Sequence, residues 1–441
     1  MSLAIRFADH LATLGIERGT GALVAVSGGP DSVALLSLLA ETSDLHGLAC
    51  TVGHIDHGIA AASEEVGQRV RRLAEALGIP FRAARLRLGA DASETLARER
   101  RYAALGRLRR SAGARFLFTA HHADDQIETV LMRALRGSGP AGLAGMAARR
   151  GTVVRPLLPF RRQELAEYIR ERGLEAWDDP ANREPRHLRS WLRHQILPEL
   201  RGRLPDTDQR ILDLAAHAAA DRAAWDQALD QWPGLDARSE TDGISVAVSP
   251  LEGYDCPLRL ALLQAAARRV GLSLGPRRAD RLLELFAAGR SGASVPLGGE
   301  WTAERTFDRI RLIRAPAPVA LGSAALEGPA GELRWGRWLL RWRTEPAPGR
   351  QLRTGNTAWI VPGPLQVRGW AAGDRIRPLG GAGRRLAVKC FQEARIPRSE
   401  RNRWPVLAVD DVMVWVPGVC RSDALLPLAG TESLRVDATD R

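Results

Sequence analysis

The feature that most constrains this chain is a short apolar run that breaks into glycine and then into a helix. Leu23-Val24-Ala25-Val26 reads as a buried strand, Ser27-Gly28-Gly29-Pro30-Asp31-Ser32 follows at once, and Val33 to Leu39 reads as a helix. A strand that feeds a helix through such a turn brings backbone N–H groups and the positive end of the helix to one point. That is a cradle for an anion, and the hydroxyls of Ser27 and Ser32 add donors. The lysine-bearing phosphate loop and the kinase strand lysine are both excluded, because the single lysine of the chain, Lys389, lies in Ala387-Val388-Lys389-Cys390.

The pattern repeats. Cys50 to Ile55 is a second strand, Ser63 to Leu77 an amphipathic helix, and Phe81 to Leu86 a third strand. Glu94 to Arg110 is a helix, Phe116 to Thr119 a fourth strand, Asp124 to Leu135 a helix, and Val153-Val154 a fifth strand. Strand and helix in alternation predict an α/β domain with a doubly wound parallel sheet, right-handed crossovers and ligands at the carboxyl ends of the strands. Helical patterns cover Thr207 to Gln231, Pro257 to Val270 and Arg277 to Ala288, and Gly289 to Ile313 alternates like strands. The expected division is a catalytic domain over 1–200, a mainly helical middle domain over 201–315, a linker over 316–331 rich in Ala, Pro and Gly, and a small β-rich domain over 332–441. That last stretch holds seven of the twelve tryptophans, which are expected to pack its small core.

Charge separates these regions. Residues 1–200 carry 28 basic and 23 acidic groups, net +5, whereas 331–441 carry 19 and 11, net +8. A basic C-terminal region points to a polyanion, most simply nucleic acid, against the plainer reading of a solvated basic face. The four cysteines, Cys50, Cys256, Cys390 and Cys420, form no C-x-x-C pair, so a disulfide framework or a zinc knuckle is not expected. No run of 18 apolar residues exists, and Met1 to His10 lacks the basic and apolar parts of a secretory signal. Cytoplasmic location is the expectation.

Asp124, Asp125 and Glu128 crowd three carboxylates into the first turns of one helix, whose apolar face is Ile127, Val130, Leu131, Ala134 and Leu135. Like charges at these spacings repel, so a bound cation would relieve the cluster; magnesium and a lysine ammonium are both candidates. His121 and His122 precede it as core or phosphate contacts. Adjacent side chains diverge, so one of the two is expected to face the site.

The loop Ser27–Ser32 resembles the PP-loop of the ATP pyrophosphatase superfamily. Several further motifs are similar to those of tRNA(Ile)-lysidine synthetases. In the first domain these are His54-Ile55-Asp56-His57-Gly58, His121 to Thr129, Arg136-Gly137-Ser138-Gly139, Arg155-Pro156-Leu157-Leu158, and Asp178 to Asn182 with Arg189 and Arg193. Gly289 to Ala293 resembles the middle domain of that family. Gly373 to Gly381, Phe391-Gln392, Ile396-Pro397 and Trp415 to Gly418 resemble its C-terminal domain. Departures are Ile59-Ala60, where the family has a basic residue, Arg189-Ser190 where it has Arg-Asn, and Arg384-Arg385 where lysines are common.

The resemblance implies a two-step ligation. The O2 of the wobble cytidine of a CAU-anticodon isoleucine tRNA is adenylated by ATP, and the ε-amino group of L-lysine then displaces AMP at C2. The product, lysidine, changes the codon read from AUG to AUA and the identity from methionine to isoleucine. It further implies ATP contacts from Ser27, Gly28, Gly29, Pro30, Asp31, Ser32, His54 and His121. Lysine would be held by Asp125 and Glu128 with Arg101, catalysis carried by Asp31, Asp125, Glu128 and Arg101, and magnesium held at Asp31. Arg189, Arg193, Arg375, Arg377, Arg384, Arg385 and Lys389 would contact tRNA. A homodimer is compatible with the sequence and no membrane partner is expected. A tRNA thiolase of the same superfamily would need paired cysteines, and an amidotransferase a glutaminase motif; neither is present in the sequence.

Overall fold

In β1 (Gly21–Ala25) alternate residues bury on opposite faces: Ala22 and Val24 join one core while Leu23 joins another. A strand buried on both sides belongs to the middle of a layered sheet. The computed structural model that places it describes residues 1–56, 62–86, 94–177, 188–287, 290–314, 321–410 and 412–440. The expectations for His57-Gly58, Ile59-Ala60, Asp178–Asn182, Gly289 and the first part of the linker lie outside the described residues.

The chain divides into two compact units, Met1–Ala224 and Trp225–Arg441. In the first, α1 (Leu3–Thr13) precedes β1, α2 (Pro30–Glu41) and the single turn α3 (Ser43–His46). Then come β2 (Ala49–Asp56), α4 (Ala62–Ala76), β3 (Phe81–Arg85), α5 (Glu94–Ser111), β4 (Phe116–Phe118), α6 (Ala123–Leu135) and α7 (Pro140–Leu143). The short strands β5 (Arg149–Arg150) and β6 (Val153–Val154) lead to α8 (Arg162–Glu171). Helix α9 (Leu188–Trp191) widens into a π turn over Leu192–Ile196 and continues as α10 (Leu197–Arg203) and α11 (Thr207–Gln231), which crosses the cut between units.

The sheet order is β3-β2-β1-β4-β6-β5, parallel except for the β5–β6 pair. The chain winds outward from β1 to β3 and then returns to the other side of β1 as β4. The loops after β1 and β4 therefore diverge at a topological switch point, where an open α/β sheet leaves a crevice. The sequence pattern predicted β1 to β4, β6, α2, α4, α5 and α6 to within a few residues; it missed the core helices α1 and α8 and the short elements α3, α7, α9, α10 and β5. Helix α1 is capped by Ser2, whose Oγ accepts from the Ile5 amide at 3.4 Å, and it buries Phe7 and Leu11 in the core beneath α2 and α8.

The second unit begins with a five-stranded antiparallel sheet built from 238–247 and 294–314, packed by helices Cys256–Arg269 and Pro276–Ala287. The strands at 238–247 were not anticipated, although the alternating Ile244-Ser245-Val246-Ala247 after Thr241-Asp242-Gly243 is strand-like. Further on, a five-stranded and a four-stranded sheet close on Trp335, Trp338, Trp342 and Trp415, all buried as expected. Arg311, 6% exposed, ties the first of these sheets to the turn at Arg398–Arg401 through Glu240, Glu304 and Glu400. Arg421, 1% exposed, gives its hydrogen bonds to the carbonyls of Val414, Ser422, Ala424, Trp359 and Leu425, and burial pushes its pKa down to about 10. Among the described residues no helix is long and apolar enough to cross a membrane.

Phe7 is wholly buried against Phe160, their ring centroids 6.3 Å apart. Phe7→Ala should cost roughly 3–5 kcal/mol of unfolding free energy, the usual range for emptying an aromatic core site. Urea unfolding measures it; a loss below about 1 kcal/mol, the size of a surface change, would mean that α1 is not part of the core.

Candidate active site

The turn after β1 is built around two requirements. Gly28 has φ +92°, and a Cβ placed there would lie 2.6 Å from Val66 Cγ1, so only glycine fits. Its carbonyl accepts from the Trp177 amide at 2.9 Å. Ser32 is buried rather than displayed: its hydroxyl donates to the Gly29 carbonyl at 2.8 Å and accepts from the Ser27 amide at 3.2 Å. The two serines thus tie the ends of the loop together, and α2 starts at Pro30 with its positive end toward the crevice.

That crevice is a pocket of about 340 Å³ over the switch point. Ser27, Gly29, Pro30, Asp31 and Ser32 line it from the first loop, and Thr119, Ala120, His121 and Asp125 line it from the second. Arg98, Arg101 and Tyr102 of α5 face it, as do Arg162, Arg189 and Arg193. Larger clefts lie in the second unit, but the chemistry-bearing motifs converge here.

Two of the expected ATP contacts sit elsewhere. Gly28 turns away toward Val66 and Val70 of α4. His54 is 4% exposed, hydrogen-bonds the Val26 carbonyl through Nδ1 at 2.8 Å and stacks near Phe81, so it supports the pocket from below and is absent from its wall. The polar Nδ1 is already spent on the backbone, which the sequence could not reveal.

The two histidines do diverge. His121 lines the pocket with Nδ1 3.0 Å from Thr119 Oγ1; burial pushes its pKa down to about 4. His122 is 2% exposed and caps α6, its Nδ1 accepting from the Asp125 amide at 3.4 Å. Burial alone would lower the pKa of His122, but Asp31, Asp125 and Asp124 surround it and hold it above the ordinary imidazole value.

The acidic cluster is split by its partners. Asp124 turns to Arg161, at 2.8 Å, and to the Arg162 amide, also at 2.8 Å, and Arg161 in turn pairs with Asp208. Asp125 and Glu128 instead meet Arg189 and Arg193. Arg189 donates to Glu128 Oε2 at 2.6 Å and to Asp125 Oδ1 at 2.7 Å, while Arg193 donates to Glu128 Oε1 at 2.6 Å and Oε2 at 3.1 Å. Burial opposes ionisation of Asp125, yet His122, Arg189 and His121 prevail and hold its carboxyl below the usual range. The two arginines, read from sequence as tRNA contacts, are thus partners of the acids. The available signal was their i,i+4 spacing, which puts both on one helical face. Arg162, which also lines the pocket, had no signal of its own.

These features coincide with two domain families. The PP-loop domain profile matches residues 4–200, and the TilS substrate C-terminal domain profile matches 365–437. A tRNA(Ile)-lysidine synthase of Symbiobacterium thermophilum is 33% identical, covering 98% of this chain and 97% of its own length. The chain belongs to the tRNA(Ile)-lysidine synthase family. Another synthase, from Alkalilimnicola ehrlichii, is 36% identical over 91% of this chain and 89% of the relative, and one from Geobacter sulfurreducens is 31% identical over 95% and 93%.

Within the lysidine synthase C-terminal region the expected basic strip is uneven. Arg377 pairs with Asp423 at 2.8 Å, and Arg385 holds Glu393 through two bonds of 2.6 and 2.7 Å. Arg375, Arg384 and Lys389 are exposed.

Glu128 is 1% exposed, so its charge depends on both guanidiniums. The double variant Arg189→Ala/Arg193→Ala should lose about 3–5 kcal/mol, the cost of stranding a buried charge. Adding Glu128→Gln should recover most of it. Urea unfolding of the two variants beside the wild type checks this; equal stability of the double and triple variants would contradict it.

Proposed function

We propose that this protein uses ATP to join L-lysine to C2 of the wobble cytidine of a CAU-anticodon isoleucine tRNA, through a cytidine adenylated at O2, releasing pyrophosphate and then AMP. The observation that carries this reading is the convergence, in one pocket at the switch point, of an anion loop, an arginine wall and Asp125, whose guanidinium partners also hold the buried Glu128 behind it. The fold supplies the phosphate side: Ser27, Gly29, the start of α2 and the guanidiniums of Arg98, Arg101 and Arg162 can receive a triphosphate. His121, neutral in the physiological range, can donate or accept beside it without adding charge.

Asp125 and Glu128 are the lysine site in this reading. Arg189 and Arg193 stand where an ammonium would, which supports the choice of these acids for a cationic substrate. The ammonium displaces part of that contact and must then lose a proton to attack C2. Arg101 is placed to hold the lysine carboxylate or a phosphate. Asp31 presents a single, partly exposed carboxylate to the pocket, and among the described residues no cluster of three metal-ligating side chains occurs. One carboxylate with substrate phosphates is a usual magnesium environment, so the fit is to a phosphate-borne magnesium at Asp31, which would neutralise charge on the departing pyrophosphate.

Residues 1–200 are the catalytic domain in this account, 201–315 and 332–441 the tRNA-binding parts, and 316–331 the linker. Arg375, Arg384 and Lys389 contact the tRNA backbone directly; Arg377 and Arg385 must share their charge with an acid.

Incorporation of radiolabelled lysine into a CAU-anticodon isoleucine tRNA transcript, with initiator and elongator methionine tRNAs as controls, tests the reading. Label in the isoleucine tRNA alone supports it, and no label in any of the three sinks it. Asp31→Ala should abolish incorporation in a folded protein. Asp125→Asn should raise the KM for lysine about ten- to hundredfold, the effect of losing one charge-assisted hydrogen bond; an unchanged lysine KM with failed adenylation would assign that acid to the metal. Replacing Arg384 or Lys389 by Ala should lower the slope of log tRNA affinity against log salt by roughly 0.7–0.9 each, without changing the base modified. An unaltered slope would remove that residue from the tRNA contact set.

A further inference from the structure

We propose that His122 is a positioning residue that joins the two halves of the active site, fixing the Asp31 carboxylate of the anion loop against the Asp125 carboxylate of the acidic helix. This rests on the reading of the pocket as the site of ATP and lysine. The geometry is specific to the ring. Nδ1 accepts from the Asp125 amide at 3.4 Å, the bond that caps α6. Nε2, on the far side of the ring, lies 3.5 Å from Asp31 Oδ2 and 3.6 Å from Asp125 Oδ2. Because Nδ1 is an acceptor, the proton of a neutral ring sits on Nε2; a cationic ring also carries one there. Nε2 is therefore a donor in either state, shared between two acids from different elements.

Those acids would otherwise repel. Asp31 opens α2 and Asp125 opens α6, and both line the same pocket. A proton-bearing nitrogen between them offsets that repulsion and holds the two carboxylates at fixed spacing. At 2% exposure the ring cannot swing out to be replaced by solvent. Both separations exceed that of a strong hydrogen bond, so Nε2 lies between the two carboxylates without committing to either. His122 does not line the pocket, so it acts through the two acids without touching substrate.

Two amide variants separate its jobs. Asparagine carries an acceptor close to where Nδ1 sits, so His122→Asn keeps the cap and loses the reach to Asp31. Glutamine carries a donor near the position of Nε2, so His122→Gln keeps the bridge and weakens the cap. His122→Asn should stay folded while kcat for lysine incorporation falls about ten- to hundredfold, the loss typical of removing an orienting partner. His122→Gln should melt lower yet keep far more of the wild-type kcat. Wild-type kcat in a folded His122→Asn protein, or a His122→Gln protein that is folded and no more active than His122→Asn, overturns the proposal. If the glutamine variant does not fold, kcat of the asparagine variant decides alone. Wild-type protein without lysine incorporation would instead sink the functional reading on which this rests.

Discussion

The organising interaction of the first unit is the neutralisation of a buried acidic helix start. Asp125 and Glu128 are 13% and 1% exposed, and a pair of carboxylates taken that far out of water stays ionised only if cations come with it. Arg189 and Arg193 provide that charge from a segment more than sixty residues downstream, and His122 adds to it from the cap of the same helix. The position of α9 and its π turn follows from this demand, because the two guanidiniums must reach the same carboxylates. A π turn widens one helical step, a feature often found where side chains must be aimed at a functional site. The pocket wall formed by Arg189 and Arg193 is thus a consequence of the acids beneath it.

The same arrangement explains how one small pocket can serve both an anion and a cation. The loop after β1 and the arginines of α5 make one side attractive to phosphate. In the proposed reading Asp125 of α6 makes the other side attractive to an ammonium. The switch point of the sheet brings the two within a single crevice, because β1 and β4 are neighbours whose loops diverge. His122 sits at the seam.

Much of this was legible in the sequence. The β1 loop, the alternation of strand and helix, and the acidic run after β4 each carried a local signal that the fold retains. The tryptophan-rich core of the last domain was legible for the same reason. What was not legible depended on partners distant in sequence. His54 was expected among the ATP contacts from the family resemblance, but its Nδ1 satisfies the Val26 carbonyl. Arg189 and Arg193 looked like a surface for tRNA, and only folding shows that their charges are committed to Asp125 and Glu128. Arg377 and Arg385 sit in a run of basic residues, yet each has a carboxylate partner, Asp423 for the first and Glu393 of the following helix for the second. In each case the side-chain type was read correctly and its partner was out of reach of local pattern.

The central claim is that ATP activates a base on the tRNA and lysine then discharges it. The most direct measurement is the stoichiometry of a single reaction mixture containing protein, ATP, lysine and the isoleucine tRNA transcript. AMP, pyrophosphate and tRNA-bound lysine are counted together. All three should accumulate in equal amounts, and no ADP should form. Formation of ADP, or lysine attached to tRNA without matching AMP, would contradict it.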